Sequence, residues 1–221
     1  MAYLTDGFSA EEMIARVAGV VKSSTAAAET MILQLLNATQ LEMFYRYDWP
    51  ELRVQDDYFT TDGSESYSLA SVLNNANKAG FGRVVANSVR YGSYSLSPIT
   101  KGWIDQYDPE RIQGGTPLKY CAVNRTDFRV WPYGSSGDKI SLDWVILPVK
   151  LEAASAADDV SFDPERHELI IEGTIWRACR EEKPDLEWER MMGQWYRRLK
   201  EAYRDSRQFK QTSFVAEPHY V

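Results

Sequence analysis

The chain has 221 residues, of which 44% are hydrophobic and 26% charged, so it can bury a core without disulfide bonds. Its net charge of −7 argues against a protein that grips nucleic-acid phosphates, because such proteins carry a basic surface. The N-terminus lacks a signal-peptide pattern, and no window holds the roughly 18 apolar residues of a membrane helix. We therefore expect a soluble protein without a membrane partner.

Two helices are predicted before residue 50. Ser9 and Glu12 form a capping-box pattern, in which the hydroxyl accepts a backbone N–H and the carboxylate reaches back. Thr25 offers a second N-cap, and residues 26–45 carry apolar side chains on more than one face of the helix that follows. A proline ends this segment, and Trp49 just before it is expected to pack back on the helix end.

The periodicity changes between residues 52 and 151, where short β-branched and aromatic runs are separated by turn residues. Apolar residues alternate with polar ones in residues 128–131 and again in residues 140–146. The turn-rich segment 132–138 lies between these two runs. They are the clearest predicted hairpin.

The pattern returns to helix after a small, acidic connector at residues 153–163. Asp163 before Pro164 is typical of a helix start, and this helix is expected to end near Glu182. A last helix has apolar residues at alternating steps of four and three, typical of a helix–helix seam: Trp188, Met192, Trp195, Leu199 and Ala202. Its other face is charged, with cations near the C-terminal end, where they favour the helix dipole.

These patterns predict an α+β fold with a discontinuous helical body. The N-terminal helices (residues 1–50) and the C-terminal helices (residues 153–206) are expected to form one bundle. An antiparallel β domain (residues 51–152) is inserted between them. The remaining residues, 207–221, have no helical stripe and are expected to form an extended C-terminal tail.

No motif for catalysis, cofactor binding or metal binding is present. Cys121 and Cys179 are too few for a disulfide framework and lack metal-ligand spacing, which indicates reduced thiols in a cytosolic setting. His167 and His219 lie in no metal-spaced cluster and are predicted to be structural or surface residues. Four carboxylates could be imagined as a glycosidase acid/base pair, although no spacing marks one: Asp56, Asp57, Glu187 and Glu189. No catalytic residue is therefore predicted.

The aromatic residues fall into two groups. Four tryptophans lie on predicted apolar faces and are expected in the core: Trp144, Trp176, Trp188 and Trp195. Phe209, Phe214 and Tyr220 lie instead in a tail too polar to fold alone. They are candidate partner-binding residues, each filling a pocket on another protein; the alternative is a mobile terminus.

The order of several segments resembles the head-to-tail adaptor (connector or neck) proteins of tailed bacteriophages. The segments that carry the likeness are residues 46–52, 59–63, 67–69, 114–120, 128–132, 144–148, 167–170 and 195–199. This resemblance covers about residues 10–205. It implies a structural virion protein that forms a ring, usually of twelve copies, beneath the portal protein, and that receives the tail or nozzle protein.

The resemblance further implies that genomic DNA passes through the ring without specific binding and that the protein, made in the host bacterial cytoplasm, resides at the head–tail junction. An acidic lumen would repel the DNA during its passage. The alternative is a virion-associated glycan hydrolase or a carbohydrate-binding β domain.

Overall fold

The computed structural model describes residues 7–73, 80–124, 127–182 and 187–212, the last six of these by their backbone only. The chain divides into two units, which we call the helical unit (residues 1–51 and 148–221) and the β unit (residues 52–147). The predicted α+β class is confirmed.

The helices are α1 (Ala10–Val21), α2 (Ala26–Arg46), α3 (Leu69–Val72), α4 (Lys101–Tyr107), α5 (Pro164–Glu182) and α6 (Trp188–Thr212), with 3-10 turns at Pro50–Leu52 and Ala157–Asp159. The strands are β1 (Arg53–Thr60), β2 (Tyr67–Ser68), β3 (Phe81–Val84), β4 (Arg90–Tyr91), β5 (Tyr94–Ser95), β6 (Ser97–Pro98), β7 (Lys119–Ala122), β8 (Asp127–Trp131) and β9 (Lys139–Ile146). No helix in the described ranges is long and apolar enough to cross a membrane.

Local capping determines where the first two helices begin and end. The Ser9 hydroxyl accepts the backbone N–H of Glu12 at 3.3 Å, and the Glu12 carboxylate accepts the N–H of Ser9 at 2.8 Å. Thr25 caps α2 with its side chain. Beyond the end of α2, the buried Trp49 donates its indole N–H to the Met43 carbonyl at 2.9 Å. The predicted capping box and the predicted packing of Trp49 are both confirmed.

In the helical unit, α5 packs against α1, α2 and α6. The predicted seam of α6 is confirmed, because Trp195 and Leu199 are buried and the other three seam residues are half-buried. The Trp195 indole donates to the Leu169 carbonyl at 2.7 Å. Gly173 of α5 faces Trp195 and Thr39, and its missing side chain permits this close approach.

The β unit contains two sheets that share one core. The five-stranded sheet has the order β1-β9-β4-β5, with β3 also paired to β9, and the four-stranded sheet has the order β2-β8-β7-β6. Side chains from both sheets enter the same buried cluster, including Phe59 and Trp144 from the first sheet and Phe128 and Tyr120 from the second.

The predicted hairpin between residues 128–131 and 140–146 is wrong. Strand β8 pairs with β2 and β7, whereas β9 pairs with β1, β3 and β4. Alternating hydrophobicity identifies the buried face of a strand but does not select its partner. Both strands bury their apolar face in the shared core, and the long segment between them carries the chain from one sheet to the other.

Three further expectations need correction. The inserted domain is not purely antiparallel, since β6 pairs with β7 in parallel. It also contains α3 and α4, two helices too short to show a periodic stripe in sequence. Finally, the backbone of residues 207–212 is helical rather than extended, because continuing an established helix through Arg, Gln and Lys residues costs little. The rest of the predicted tail lies outside the described residues.

Candidate interaction surfaces

The predicted partner-binding residues lie at or beyond the end of α6. Phe209 lies within the helix, where only the backbone is described, and Phe214 and Tyr220 lie outside the described residues. The structure therefore neither brings these three residues together nor separates them. Other surfaces in the described part of the chain are better defined.

The solvent face of α6 carries a row of cations. Because Trp195 and Leu199 face the core, the opposite side of the helix presents four exposed cations: Arg190, Arg197, Lys200 and Arg204. The exposed carboxylate of Glu201 lies among them, four residues after Arg197 and three before Arg204, so this face mixes both charges. We call these four residues the cationic stripe. Arg190 pairs with Glu187 at 2.9 Å, whereas the other three form no ion pair within the described residues. The sequence already contains this pattern: the four cations are separated by seven, three and four residues, and such intervals place side chains on the same face of a helix.

A group of carboxylates lies where the connector meets α1. The Ala10 backbone N–H donates to the Ser155 carbonyl at 3.0 Å, so the connector runs beside the first turn of α1. The exposed carboxylates of these two segments form what we call the acidic edge: Glu11, Glu12, Glu152, Asp158 and Asp159. The sequence showed that the connector is acidic, but not that it meets α1.

A buried polar network holds α2, α5 and α6 together. The Arg177 guanidinium on α5 is buried and contacts both the Glu42 carboxylate and, at 3.1 Å, the Thr39 hydroxyl on α2. The Tyr196 hydroxyl on α6 donates to the same Glu42 carboxylate at 2.8 Å. Burial lowers the pKa of Arg177, and the Glu42 charge opposes this shift. Burial and the hydrogen bond to Glu42 raise the pKa of Tyr196.

This network fixes the helix that carries the cationic stripe. Satisfied buried polar groups specify one arrangement of helices, because any shift would leave a desolvated group without its partner. It therefore has a structural role.

His167 is also structural, as its lack of metal-like spacing predicted. It is fully buried, and its Nδ1 accepts the Phe8 backbone N–H at 2.8 Å while its Nε2 lies 3.0 Å from the Phe162 carbonyl. These contacts require a neutral ring with its proton on Nε2. Burial lowers the pKa of His167, and the contact of Nε2 with the Phe162 carbonyl opposes that shift.

In the β unit, aromatic rings cluster beside exposed apolar side chains. Trp103 of α4 stacks on Tyr107 at 4.4 Å and meets Trp131 edge-on at 4.9 Å. Near this cluster, Ile112 and Leu118 are 69% and 57% exposed. Rings beside exposed apolar side chains are more typical of a surface for protein contact than of a catalytic cleft.

The buried Asp108 holds the loop after α4 in place. Its carboxylate accepts the backbone N–H groups of Ile112 and Gln113 at 3.1 and 3.2 Å. It also accepts the Trp131 indole N–H at 3.2 Å. All three bonds use the Asp108 carboxylate as the acceptor, so this side chain has a structural role.

The carboxylates considered for a glycosidase are placed in other roles. Asp57 is buried and accepts the Trp144 indole N–H at 2.9 Å, and the exposed Asp56 pairs with Arg90. Glu187 pairs with Arg190 at the start of α6. The four carboxylates are also split between the two units. Both cysteines are buried and free, and burial raises the pKa of each thiol. Within the described ranges no group of three metal-ligating side chains is found.

These features are those of a structural interaction protein, in which ionisable groups in the core hold the fold and charged or aromatic surfaces face outward. The chain belongs to the SU10 adaptor protein family, whose model matches residues 8–216. It is a family of phage head-to-tail adaptors, so the role is a structural one in a bacteriophage virion. No curated protein sequence gives a significant match to the chain.

Proposed function

We propose that this protein forms a ring beneath the portal protein of a tailed phage, extends the DNA channel and joins the head to the tail or nozzle protein. The observation that carries the proposal is family membership across residues 8–216, nearly the whole chain. The ring is expected to contain twelve copies and to lie at the head–tail junction, after synthesis in the cytoplasm of the host bacterium.

Ring formation follows from simple assembly rules. A subunit with two unlike lateral faces makes heterologous contacts, which close into a ring when the rotation between neighbours permits it. The net charge of −7 supports passage of genomic DNA without specific binding, because an acidic protein does not retain a polyanion.

The proposal is tested by electron microscopy of purified portal rings mixed with this protein. We expect a second, coaxial ring on one side of the portal, and native mass spectrometry should then count the subunits. Portal rings mixed with an unrelated acidic protein of similar size are the control. If the portal rings remain bare at a large excess of adaptor, the proposed function is wrong.

We also propose that Phe209, Phe214 and Tyr220 bind the portal protein or a neighbouring subunit. Each would bury an aromatic ring in a pocket of the partner. Because α6 continues to Thr212, we would delete residues 213–221 and separately replace Phe209 with Ala, and then measure co-sedimentation with portal. Weaker co-sedimentation of both variants supports this role, and unchanged co-sedimentation of both refutes it.

A further inference from the structure

We infer that the outer face of α2 is a docking surface for the same face of a second copy of this chain, and that the two α2 helices pair antiparallel. The outer face is the side of α2 that points away from the core of the helical unit. It consists of six residues: Ala27, Met31, Gln34, Ala38, Leu41 and Tyr45. The inference goes beyond the proposed function and does not depend on it.

The first feature is the absence of charge on a helix face that meets solvent. None of the six residues is charged, yet Tyr45 and Leu41 are 64% and 38% exposed, and only Met31 is half-buried. The outer face of α6, in the same unit, carries four cations and the carboxylate of Glu201 instead. Helices normally bury an apolar stripe against another element. Within one copy of the chain, the outer face of α2 remains exposed.

The second feature is the spacing of the six residues, which selects an α-helix as the partner. They follow one another at steps of four, three, four, three and four, the a and d positions of a heptad pattern. Side chains at these intervals interlock with those of a second helix that repeats the pattern. The corresponding row of α6 packs within its own unit, whereas the row of α2 is open to a helix of another molecule.

The third feature is the match of side-chain sizes, which selects α2 of a second copy and an antiparallel direction. Large side chains face small ones at the ends of such a pair and beside its two-fold axis, as dense packing requires. A parallel pair would place Ala27 on Ala27 and Ala38 on Ala38, which leaves space that no side chain fills. With the axis level with Leu36, three contacts are each made twice: Tyr45 with Ala27, Met31 with Leu41, and Gln34 with Ala38.

The polar residues in and beside the outer face suit this register. The two Gln34 residues lie about 6 Å apart along the axis of the pair, at 1.5 Å per residue, so their amides can hydrogen-bond to each other. A single polar residue in a helix seam fixes the register. The charged residues that flank the face, Glu42 and Arg46, already pair with each other at 3.1 Å, so dimer formation buries no lone charge.

The dimer is expected to be weak and insensitive to salt. The contact runs along about 27 Å of helix, and one helix pair of this length buries less surface than the roughly 1,600 Å² of a standard interface. Salt screens charges, and this contact contains none, so added salt should not dissociate it. A two-fold contact uses the same face on both copies and closes at two subunits, which distinguishes it from the lateral contacts of the proposed ring.

The test uses the full chain and sedimentation velocity over a range of protein concentrations. Ala38→Arg places two like charges beside the two-fold axis, so dimerisation should weaken at least tenfold, and Ala38→Glu should weaken it as much. An equimolar mixture of these variants pairs unlike charges and should dimerise better than either variant alone. The matched control Gln194→Arg adds the same charge on the exposed face of α6 and should dimerise as the wild type does.

Crosslinking between introduced cysteines tests the direction of the helices. Ala27→Cys and Tyr45→Cys occupy facing positions of an antiparallel pair, whereas each lies about 27 Å from its own counterpart in the second copy. A short bismaleimide should therefore join the two variants in a mixture and join neither variant to itself. Cys121 and Cys179 are buried, and the wild type measures any background from them.

The inference is overturned if the wild type stays monomeric at the highest concentration, if Ala38→Arg dimerises normally, or if Gln194→Arg weakens dimerisation equally. Crosslinking of Tyr45→Cys to itself, without crosslinking in the mixture, also overturns it. A monomeric wild type whose portal binding is lost in Ala38→Arg but not in Gln194→Arg would assign the face to the portal protein instead. If the wild type dimerises through α2 but never binds the portal, the proposed function is wrong and this inference stands.

Discussion

Replacing Gly173 with Ala tests the packing at the centre of the helical unit. A methyl group at this position would lie 2.6 Å from Thr39 Cγ2 and 2.6 Å from Trp195 Cε2. Both neighbours are buried, and ordinary carbon contacts are about 3.5–4.0 Å, so each would have to move by about 1 Å. Trp195 is further held by its hydrogen bond to the Leu169 carbonyl.

The expected change in the free energy of unfolding of Gly173→Ala combines two opposing effects. Alanine is better than glycine in a helix interior by about 1 kcal/mol. Overpacking a rigid core costs about 1–3 kcal/mol, and contact on two sides at 2.6 Å places Gly173→Ala near the upper end. The net loss is therefore about 2 kcal/mol, which lowers Tm by roughly 4–8 °C in a chain of this length.

Gly193 provides a matched control. It lies in the second turn of α6, and nothing lies within 4 Å of a methyl group built on it. Gly193→Ala should therefore raise the free energy of unfolding through helix propensity alone, by up to about 1 kcal/mol. Thermal and urea unfolding followed by circular dichroism at high salt would measure both variants. The packing argument is refuted if Gly173→Ala is as stable as the wild type, or if the two substitutions shift stability equally.

Three other substitutions test the buried polar groups. Gln40 is fully buried with both amide atoms unpaired in the described residues, so Gln40→Met should stabilise the protein by about 1 kcal/mol in urea unfolding. The folded-state pKa of His167 is lowered, so the unfolded state binds more protons in acid. Stability should consequently fall as pH drops below about 6.5, by at most about 1.4 kcal/mol per pH unit. Glu42→Gln should cost about 2–3 kcal/mol because it leaves the buried Arg177 without a counter-charge, whereas Arg177→Met should cost about 1 kcal/mol because Glu42 reaches solvent.

Each of these predictions has a control or an opposing result. A loss of stability in Gln40→Met would mean that its amide is satisfied in solution. The acid dependence should diminish in His167→Gln but persist in His219→Gln, and the reverse would contradict the assignment to His167. For the ion pair, equal losses in Glu42→Gln and Arg177→Met would contradict the argument from burial.

Where an element depends on its own residues, the sequence was sufficient to predict it. The start of α1 follows from Ser9 and Glu12, which satisfy each other's backbone groups within one turn. The seam of α6 follows from its spacing, because helix geometry places residues three and four apart on one face. For His167 the absence of metal-like spacing predicted a structural or surface role, but neither its burial nor its bonds to Phe8 and Phe162 were predicted.

Where a feature depends on distant partners, the sequence left it open. The alternating pattern correctly indicated the apolar faces of β8 and β9. The predicted hairpin was wrong because two strands can bury side chains in one core while they belong to different sheets. The predicted end of the last helix at residue 206 was too early, since the helix continues to Thr212. Polar residues with good helix propensity can continue a helix that packing has already established.

The sequence by itself determined the α+β class, the starts of α1, α2 and α5 and the resemblance to phage adaptors, since capping, periodicity and residue order are local properties. Only the tertiary structure decided which strands pair, why residue 173 must be glycine, and which carboxylates lie close together in the acidic edge. The acidic edge exists because a hydrogen bond from Ala10 to Ser155 joins two segments far apart in the chain. The charged outer face of α6, by contrast, was already expected from the sequence, because the spacing of the seam residues defines which side of the helix is buried.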